Sequence, residues 1–293
     1  MKLKEVLDKT VTFFKDKKIE TPRLDAELLF AHFLKIERIQ LYVRFDQPLS
    51  EQELAGLREL VRRRATGEPV AYILGYRDFY NLRFSVSPAV LIPRPETEHI
   101  IEEALQWAKD QASEIGILDL GTGTGCVGLT LLMNLPSAKL ISVDLSEDAI
   151  TLAKKNAEDL GVMERVQFLN TDAANFDDVM SAYKSFIGKD SIDLFVSNPP
   201  YIAEGDPGVE VAVNKFEPHT ALYAKDEGLA LLRDWSAGYC PYLSNNSLVL
   251  MEMGLTQGSA MRTHFENLKT FNEINVVKDL DGRDRVIRGV KHG

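Results

Sequence analysis

Cysteine is nearly absent from this chain of 293 residues: only Cys126 and Cys240 occur, both among apolar neighbours. They are expected to be reduced and buried, in a cytoplasmic protein. No run of eighteen apolar residues exists, so no membrane span is expected. The opening MKLKEVLDKTVTFFKDKK is charged throughout and lacks the apolar block of a secretory leader. The five histidines, His32, His99, His219, His264 and His292, have no metal-ligand spacing, so no metal is expected. No serine or cysteine stands in a nucleophile arrangement. Positive charge is in deficit too, with 34 Lys and Arg against 44 Asp and Glu, a net of −10. The deficit is uneven. Residues 1–80 carry 15 Lys and Arg against 13 Asp and Glu; the remainder carries 19 against 31. Affinity for a nucleic-acid backbone rests largely on cationic contacts to phosphate. This balance weighs against a DNA or RNA substrate, and a local basic cleft is what would reverse that.

What is present is an ordinary globular mixture, 45% hydrophobic and 27% charged, with enough apolar material for a real core. Residues 1–75 read as short helices. Thr21-Pro22 suits an N-cap followed by proline at the first helical position. Ser50 with Glu53 three residues later makes a capping box. The cationic run Arg62-Arg63-Arg64 reads as a solvated helix end, favoured there by the helix dipole. Residues 76–92 alternate aromatic and β-branched residues and predict a hairpin linker. PRPETE then ends the strand pattern and opens a helix, and residues 93–293 form the second domain. From residue 115, strands alternate with helices: IGILDL, AKLISVDLS, RVQFLNTD, IDLFVSN and NSLVLMEM are the strands. That rhythm predicts a parallel sheet covered on both faces. INVVKDLDGRDRVIRGV breaks it as strand, Asp-Gly turn, strand, an antiparallel hairpin at one edge. The fold class is therefore α/β, a doubly wound Rossmann-like sheet with a C-terminal antiparallel hairpin. A small N-terminal helical domain precedes it. This is the architecture of the common methyltransferase fold.

Two stretches carry chemistry. ILDLGTGTG, residues 117–125, runs from an apolar strand into a glycine turn and a helix. Glycine lets backbone approach a ligand closely, and the turn's N–H groups favour an anionic group. Gly123 to Gly128 also satisfies G-x-G-x-x-G, a weak signal by itself. Asp144 closes the second strand, where a carboxylate suits the ribose hydroxyls of a dinucleotide or of S-adenosylmethionine equally. Asp172, near the end of the third strand, suits an adenine-edge contact or a plain turn. The second stretch is SIDLFVSNPPYI, residues 191–202. A strand delivers Asn198 to the ligand end of the sheet, and two prolines stiffen the turn after it. An amide or aromatic amine is a poor nucleophile because its lone pair is delocalised. The Asn198 side-chain oxygen and the Pro199 carbonyl can accept the two N–H bonds of such a group and aim its nitrogen. Tyr201 can stack on the planar group. A plain Asn-Pro turn is the bland alternative.

With these motifs, the chain resembles the release-factor glutamine methyltransferases. Further matching stretches are GEPVAYILG at 67–75, VLIPRPETE at 90–98, FEPHTAL at 216–222 and DLDGRDRV at 279–286. The resemblance implies methylation of the side-chain amide nitrogen of the glutamine in the Gly-Gly-Gln motif of peptide chain release factors. It implies S-adenosylmethionine as methyl donor, S-adenosylhomocysteine as product and no metal. By position, Gly121, Thr122, Gly123, Thr124, Gly125, Asp144, Asp172, Ala173 and Asn198 would border the cofactor. Asn198, Pro199, Pro200 and Tyr201 would hold the glutamine, with Asn198, Pro199 and Tyr201 catalytic. Residues 1–75 would bind the release factor, and the enzyme would be a monomer without nucleic acid or membrane. The family often has an aromatic residue where Ala173 stands; Phe176 is the candidate replacement. Arg94 and Glu98 would line the cofactor mouth or cap a helix, and Glu217 and Pro218 would shape a lid or a turn. The alternative is an adenine N6-methyltransferase using the same Asn-Pro-Pro-Tyr on a flipped base. A non-catalytic S-adenosylmethionine-binding module has no need to orient an amide, and nothing reads as a hydride-transfer site.

Overall fold

In the computed structural model, which describes residues 1–111 and 114–292, the chain divides into two units. The first comprises Met1–Tyr76 with Glu210–Phe216. Its helices are α1 (Leu3–Asp16), α2 (Pro22–Leu34), α3 (Arg38–Val43), α4 (Glu51–Ala65) and α5 (Val70–Leu74). A turn of helix at Val211–Phe216, α10 counting along the chain, also belongs to it. Leu3, Leu7, Phe14, Leu29, Phe30 and Leu57 form its core. The spacing of Leu3, Leu7 and Phe14 on α1 puts one apolar stripe inward, which supplies most of such a helix's stability.

The capping box at Ser50 forms: its hydroxyl accepts from Glu53 N at 3.2 Å while Glu53 accepts from Ser50 N at 2.8 Å. Thr21 holds the N-cap position of α2, but its hydroxyl donates to Asp25 Oδ1 at 2.7 Å and caps no backbone group. The cationic run is only partly solvated. Arg62 is exposed beside Glu59, but Arg64 is largely buried and bonds Asp25 Oδ2 at 2.7 Å. Arg64 thus fastens α4 to α2. Local spacing hides this because its partner lies 39 residues away.

The second unit runs over Arg77–Val209 and Glu217–Gly293. A hairpin comes first, β1 (Tyr76–Phe79) and β2 (Leu82–Ser85), turning on Tyr80 and Asn81, both left-handed. That turn matches the twist of the paired strands. The hairpin is no spacer. Phe79 and Phe84 lie in one core cluster with Ile100, Ile101 and Trp107 of α6 (Glu98–Ala108).

Strands β3 (Gly116–Leu120), β4 (Lys139–Asp144), β5 (Val166–Asn170) and β6 (Ile192–Ser197) come next, with helices α7 (Cys126–Asn134), α8 (Glu147–Asp159) and α9 (Phe176–Ile187) between them. A two-residue pair, β7 (Ile202–Ala203) and β8 (Tyr223–Ala224), stands apart. Then come α11 (Ala230–Tyr239), β9 (Leu243–Glu252), α12 (Gly258–Leu268), β10 (Glu273–Lys278) and β11 (Asp284–Lys291).

The main sheet has the order β10-β11-β9-β6-β3-β4-β5. From β9 to β5 every pairing is parallel, and β11 runs antiparallel between β9 and β10. Strand residues alternate between two cores. Ile117, Leu140, Leu194 and Leu250 face α6 and α7; Leu118, Ile141, Phe195 and Val249 face α9, α11 and α12. Burial on both faces explains the nearly continuous apolar runs. The chain proceeds from β3 outward to β5, then returns to the other side of β3 as β6. Such a reversal opens a crevice beyond the carboxyl ends of the central strands. No described helix is long and apolar enough to cross a membrane.

Candidate active site

A cavity of about 460 Å³ occupies that crevice. Of the residues singled out from sequence, Gly121, Thr122, Gly123, Thr124, Asp144, Asp172, Ala173, Asn198 and Pro200 line it. Gly125, Pro199 and Tyr201 are not among its lining residues.

The loop after β3 turns on Gly121, Gly123 and Gly125, with φ of 68°, 55° and 80°. These are left-handed conformations that β-carbon-bearing residues rarely adopt. Gly128 meets another demand. A β-carbon there would stand 2.7 Å from Leu140 and 2.9 Å from Asp119 Oδ2, so only glycine lets α7 lie this close to the sheet. The Asp144 carboxylate ties β4 to the loop, accepting from Gly123 N and Ser146 N, each at 2.9 Å. Burial pushes its pKa upward, and the Ser146 and Gly123 amides oppose this. Asp119 is wholly enclosed beneath the loop and accepts from the Thr122 hydroxyl at 2.7 Å. Desolvation raises its pKa to about 7. Asn156 of α8 donates to Thr124 O at 2.9 Å and to Ser85 O at 3.1 Å, pinning loop and hairpin together.

Asn198 follows β6 directly. Its Nδ2 donates to Thr97 Oγ1 at 3.2 Å. Its Oδ1 is buried and has no hydrogen-bond partner. Buried acceptors are nearly always paired, so this one is ready for a donor. Tyr201 lies differently from the stacking role expected for it. Its hydroxyl donates to Glu252 Oε1 at 2.9 Å, and its ring joins the core beneath α11. The negative charge of Glu252, then burial, push the phenol's pKa well up.

The adenine side has its own rearrangement. β5 ends at Asn170, so Asp172 and Ala173 belong to the following turn. Phe176 does not replace the aromatic residue missing at Ala173. It opens α9 and packs edge-on against Tyr239, with ring centroids 5.0 Å apart, outside the cavity lining. The apolar walls come from Leu145, Leu231 and Trp235 instead.

The IPRPETE stretch is held by a distant carboxylate. Glu217, only 4% exposed, accepts from Ile92 N at 3.1 Å and from the Arg94 guanidinium. Arg94 is thus an anchor and does not line the cavity, whereas Pro93 and Thr97 do. Glu98 accepts from Tyr80 N at 3.0 Å, joining α6 to the hairpin. Sequence reasoning missed Thr97, Asp119, Trp235 and Glu252. An acid inside the apolar runs ILDL and LVLME was the available signal for two of them.

Comparison with known proteins bears on this site. Residues 5–75 match the PrmC N-terminal domain family, and residues 111–241 match a methyltransferase domain family. A release factor glutamine methyltransferase of Geobacter sulfurreducens is 38% identical over 288 residues, covering 98% of this chain and 96% of that protein. One of Chlorobaculum tepidum is 37% identical over 288 residues, covering 96% and 94%. One of Xylella fastidiosa is 40% identical over 269 residues, covering 91% and 92%.

Proposed function

The chain belongs to the release factor glutamine methyltransferases, and we propose that it methylates the side-chain amide nitrogen (N5) of the glutamine in the Gly-Gly-Gln motif of peptide chain release factors. S-adenosylmethionine supplies an electrophilic methyl group on a sulfonium. The residues present fit it. The glycine loop offers close backbone approach, Asp144 offers a carboxylate, and Leu145 and Leu231 offer apolar walls for a flat ring. Gly121 to Gly125 take the methionine half, Asp144 the ribose, and Asp172 and Ala173 border the adenine.

One observation carries the substrate reading: the buried, unpartnered Asn198 Oδ1 at the carboxyl end of β6. It accepts one N–H of the glutamine NH2, and the Pro199 carbonyl accepts the other. Two acceptors hold the plane of the amide and favour the positive charge that grows on nitrogen as it attacks. Pro200 keeps the turn stiff, and Tyr201 supports it from behind through Glu252. Held so, the glutamine nitrogen would attack the methyl carbon that the bound sulfonium would supply, the C–S electron pair would leave with sulfur, and the nitrogen would lose its proton afterwards, so no strong base is needed beforehand. The helical unit contacts the release factor away from the glutamine, and the enzyme acts as a cytoplasmic monomer.

The test uses S-adenosylmethionine with a labelled methyl group and, separately, release factor or duplex DNA, the label being mapped by mass spectrometry. Label on the glutamine of Gly-Gly-Gln is expected. Label on adenine would replace this reading with nucleic-acid N6-methylation.

A further inference from the structure

We propose that Gln257 is a positioning residue: it fixes the carbonyl of Tyr201 and so sets the direction in which the turn of Asn198 and Pro199 presents its acceptors. The inference rests on the glutamine reading above. Gln257 holds the N-cap position of α12, in the loop that follows β9, and is 7% exposed. Its side chain bonds main chain at three points. Nε2 donates to Tyr201 O at 2.9 Å and to Glu227 O at 3.0 Å, while Oε1 accepts from Gly254 N at 2.8 Å. Both ends of the amide are thus in use. Turning it over would set its oxygen against two carbonyls and its NH2 against an N–H.

The need for such a clamp follows from the two prolines. Pro199 and Pro200 have φ fixed by their rings and no N–H to give. The rotation left between Asn198 and the body of the protein is about ψ, and ψ decides where the Pro199 carbonyl points. Holding the residue that follows arrests that rotation. Tyr201 is held twice, by its hydroxyl on Glu252 Oε1 at 2.9 Å and by its carbonyl on Gln257. The first bond fixes the ring; the second fixes the peptide plane that ends the turn. Space is tight on the far side. Gly228 has φ of 84°, and a β-carbon there would stand 2.0 Å from Tyr201 O and 2.7 Å from Gln257 Nε2. Two carbonyls that cannot satisfy each other meet at this point, and one amide supplies both donors. Glutamate would bring no donor, and asparagine is one carbon shorter. Asn198 and Pro200 line the cavity, and Gln257 is not among its lining residues. It acts on the reacting nitrogen through the backbone of Tyr201 and touches neither ligand.

The experiment compares Gln257→Met and Gln257→Asn with the wild type. Gln257→Met keeps the length and loses both donors. It is expected to lower kcat about 30-fold, within the roughly 100-fold that a misplacement of about 1 Å can cause. KM for release factor, and cofactor affinity by calorimetry, should stay within about threefold, because Gln257 binds neither ligand. A merely structural role would lower the unfolding temperature and leave the kcat of the folded enzyme unchanged. A second readout needs no methyl transfer. The Ile202 N–H, next after Tyr201 O, donates to Leu222 O at 3.0 Å. Its hydrogen exchange, taken relative to that of β3, should be about tenfold faster in Gln257→Met. Wild-type kcat in Gln257→Met, or unchanged relative exchange at Ile202, would overturn the proposal. Should Gln257→Met not fold, Gln257→Asn decides: kcat should fall about fivefold or more with the same split from KM, and wild-type kcat would overturn the proposal. If the wild type fails to label release factor, the substrate reading falls, while exchange at Ile202 still answers whether Gln257 holds the turn.

Discussion

The carboxyl ends of β3 and β6 are neighbours, with Leu120 opposite Ser197, yet they end in opposite chemistry. β3 runs into Gly-Thr-Gly-Thr-Gly, a flexible-by-nature chain forced into three left-handed turns and held there by bonds from Gly121 N and Thr122 N to Val143 O, Gly123 N to Asp144 and Gly125 N to Thr122 O. β6 runs into Asn-Pro-Pro, where the backbone is stiff and two N–H groups are missing altogether. One end satisfies its own donors and lets backbone come close to the cavity. The other leaves a buried acceptor, Asn198 Oδ1, without a partner. The contrast gives proline a use beyond stiffness: a donor beside an incoming amine would repel it, and proline has none to give.

Changes at either end should separate binding from turnover. The largest effect is expected for Asn198→Ala, which removes the orphan acceptor. Turnover should fall about 10²–10³-fold, as for loss of one preorganised polar group at a reacting centre. Cofactor affinity by calorimetry should hardly move, and near-normal turnover would sink the acceptor role. At the β3 end, Gly125→Ala combines left-handed backbone with a β-carbon 2.7 Å from Leu129. A loss of about 2 kcal/mol in unfolding free energy is expected, measured by denaturant titration. No loss would mean that the loop relaxes freely.

A further effect concerns pH. The Asp119 carboxyl is pushed by burial to about 7 in the folded chain, from an ordinary value of 3.8. Between these values the folded chain holds a proton that the unfolded chain has released. This carboxyl's contribution to stability therefore falls as pH rises from about 4 to about 7, and is level above that. Thermal unfolding of wild type and Asp119→Asn across that range should diverge by on the order of 4 kcal/mol. Parallel curves would show that Asp119 is ionised throughout. The smallest effect is expected for Pro199→Ala, which adds an N–H and loosens the turn while leaving the carbonyl in place. Turnover should drop by about threefold to tenfold, with cofactor affinity intact. An unchanged rate would leave stiffness and the missing donor without a role at β6.

Much of the fold was legible because its signals are local. Apolar runs of strand length, Ser146 before α8 and Ser50 before α4 each speak within a few residues, and the structure carries them out. The cavity-forming stretches were legible for the same reason. Phe176 misled because one-dimensional proximity to Ala173 says nothing about direction; the start of α9 turns that ring toward Tyr239. Arg64 misled because the charge run looks alike whether or not Asp25 waits on another helix.

Neighbouring residues alone dictate the alternation of strand and helix, the glycine turn after β3 and the proline-stiffened turn after β6. Each depends on backbone preferences of adjacent positions, which need no partner elsewhere. The surroundings of those turns had to wait for the folded chain. Thr97 meets Asn198 across 101 residues, Glu252 meets Tyr201 across 51 and Glu217 meets Arg94 across 123. The pairing of Glu252 with Tyr201 comes from sheet order, which places β9 beside β6. Strand order is settled by how whole faces bury against one another, so no short stretch of residues records it.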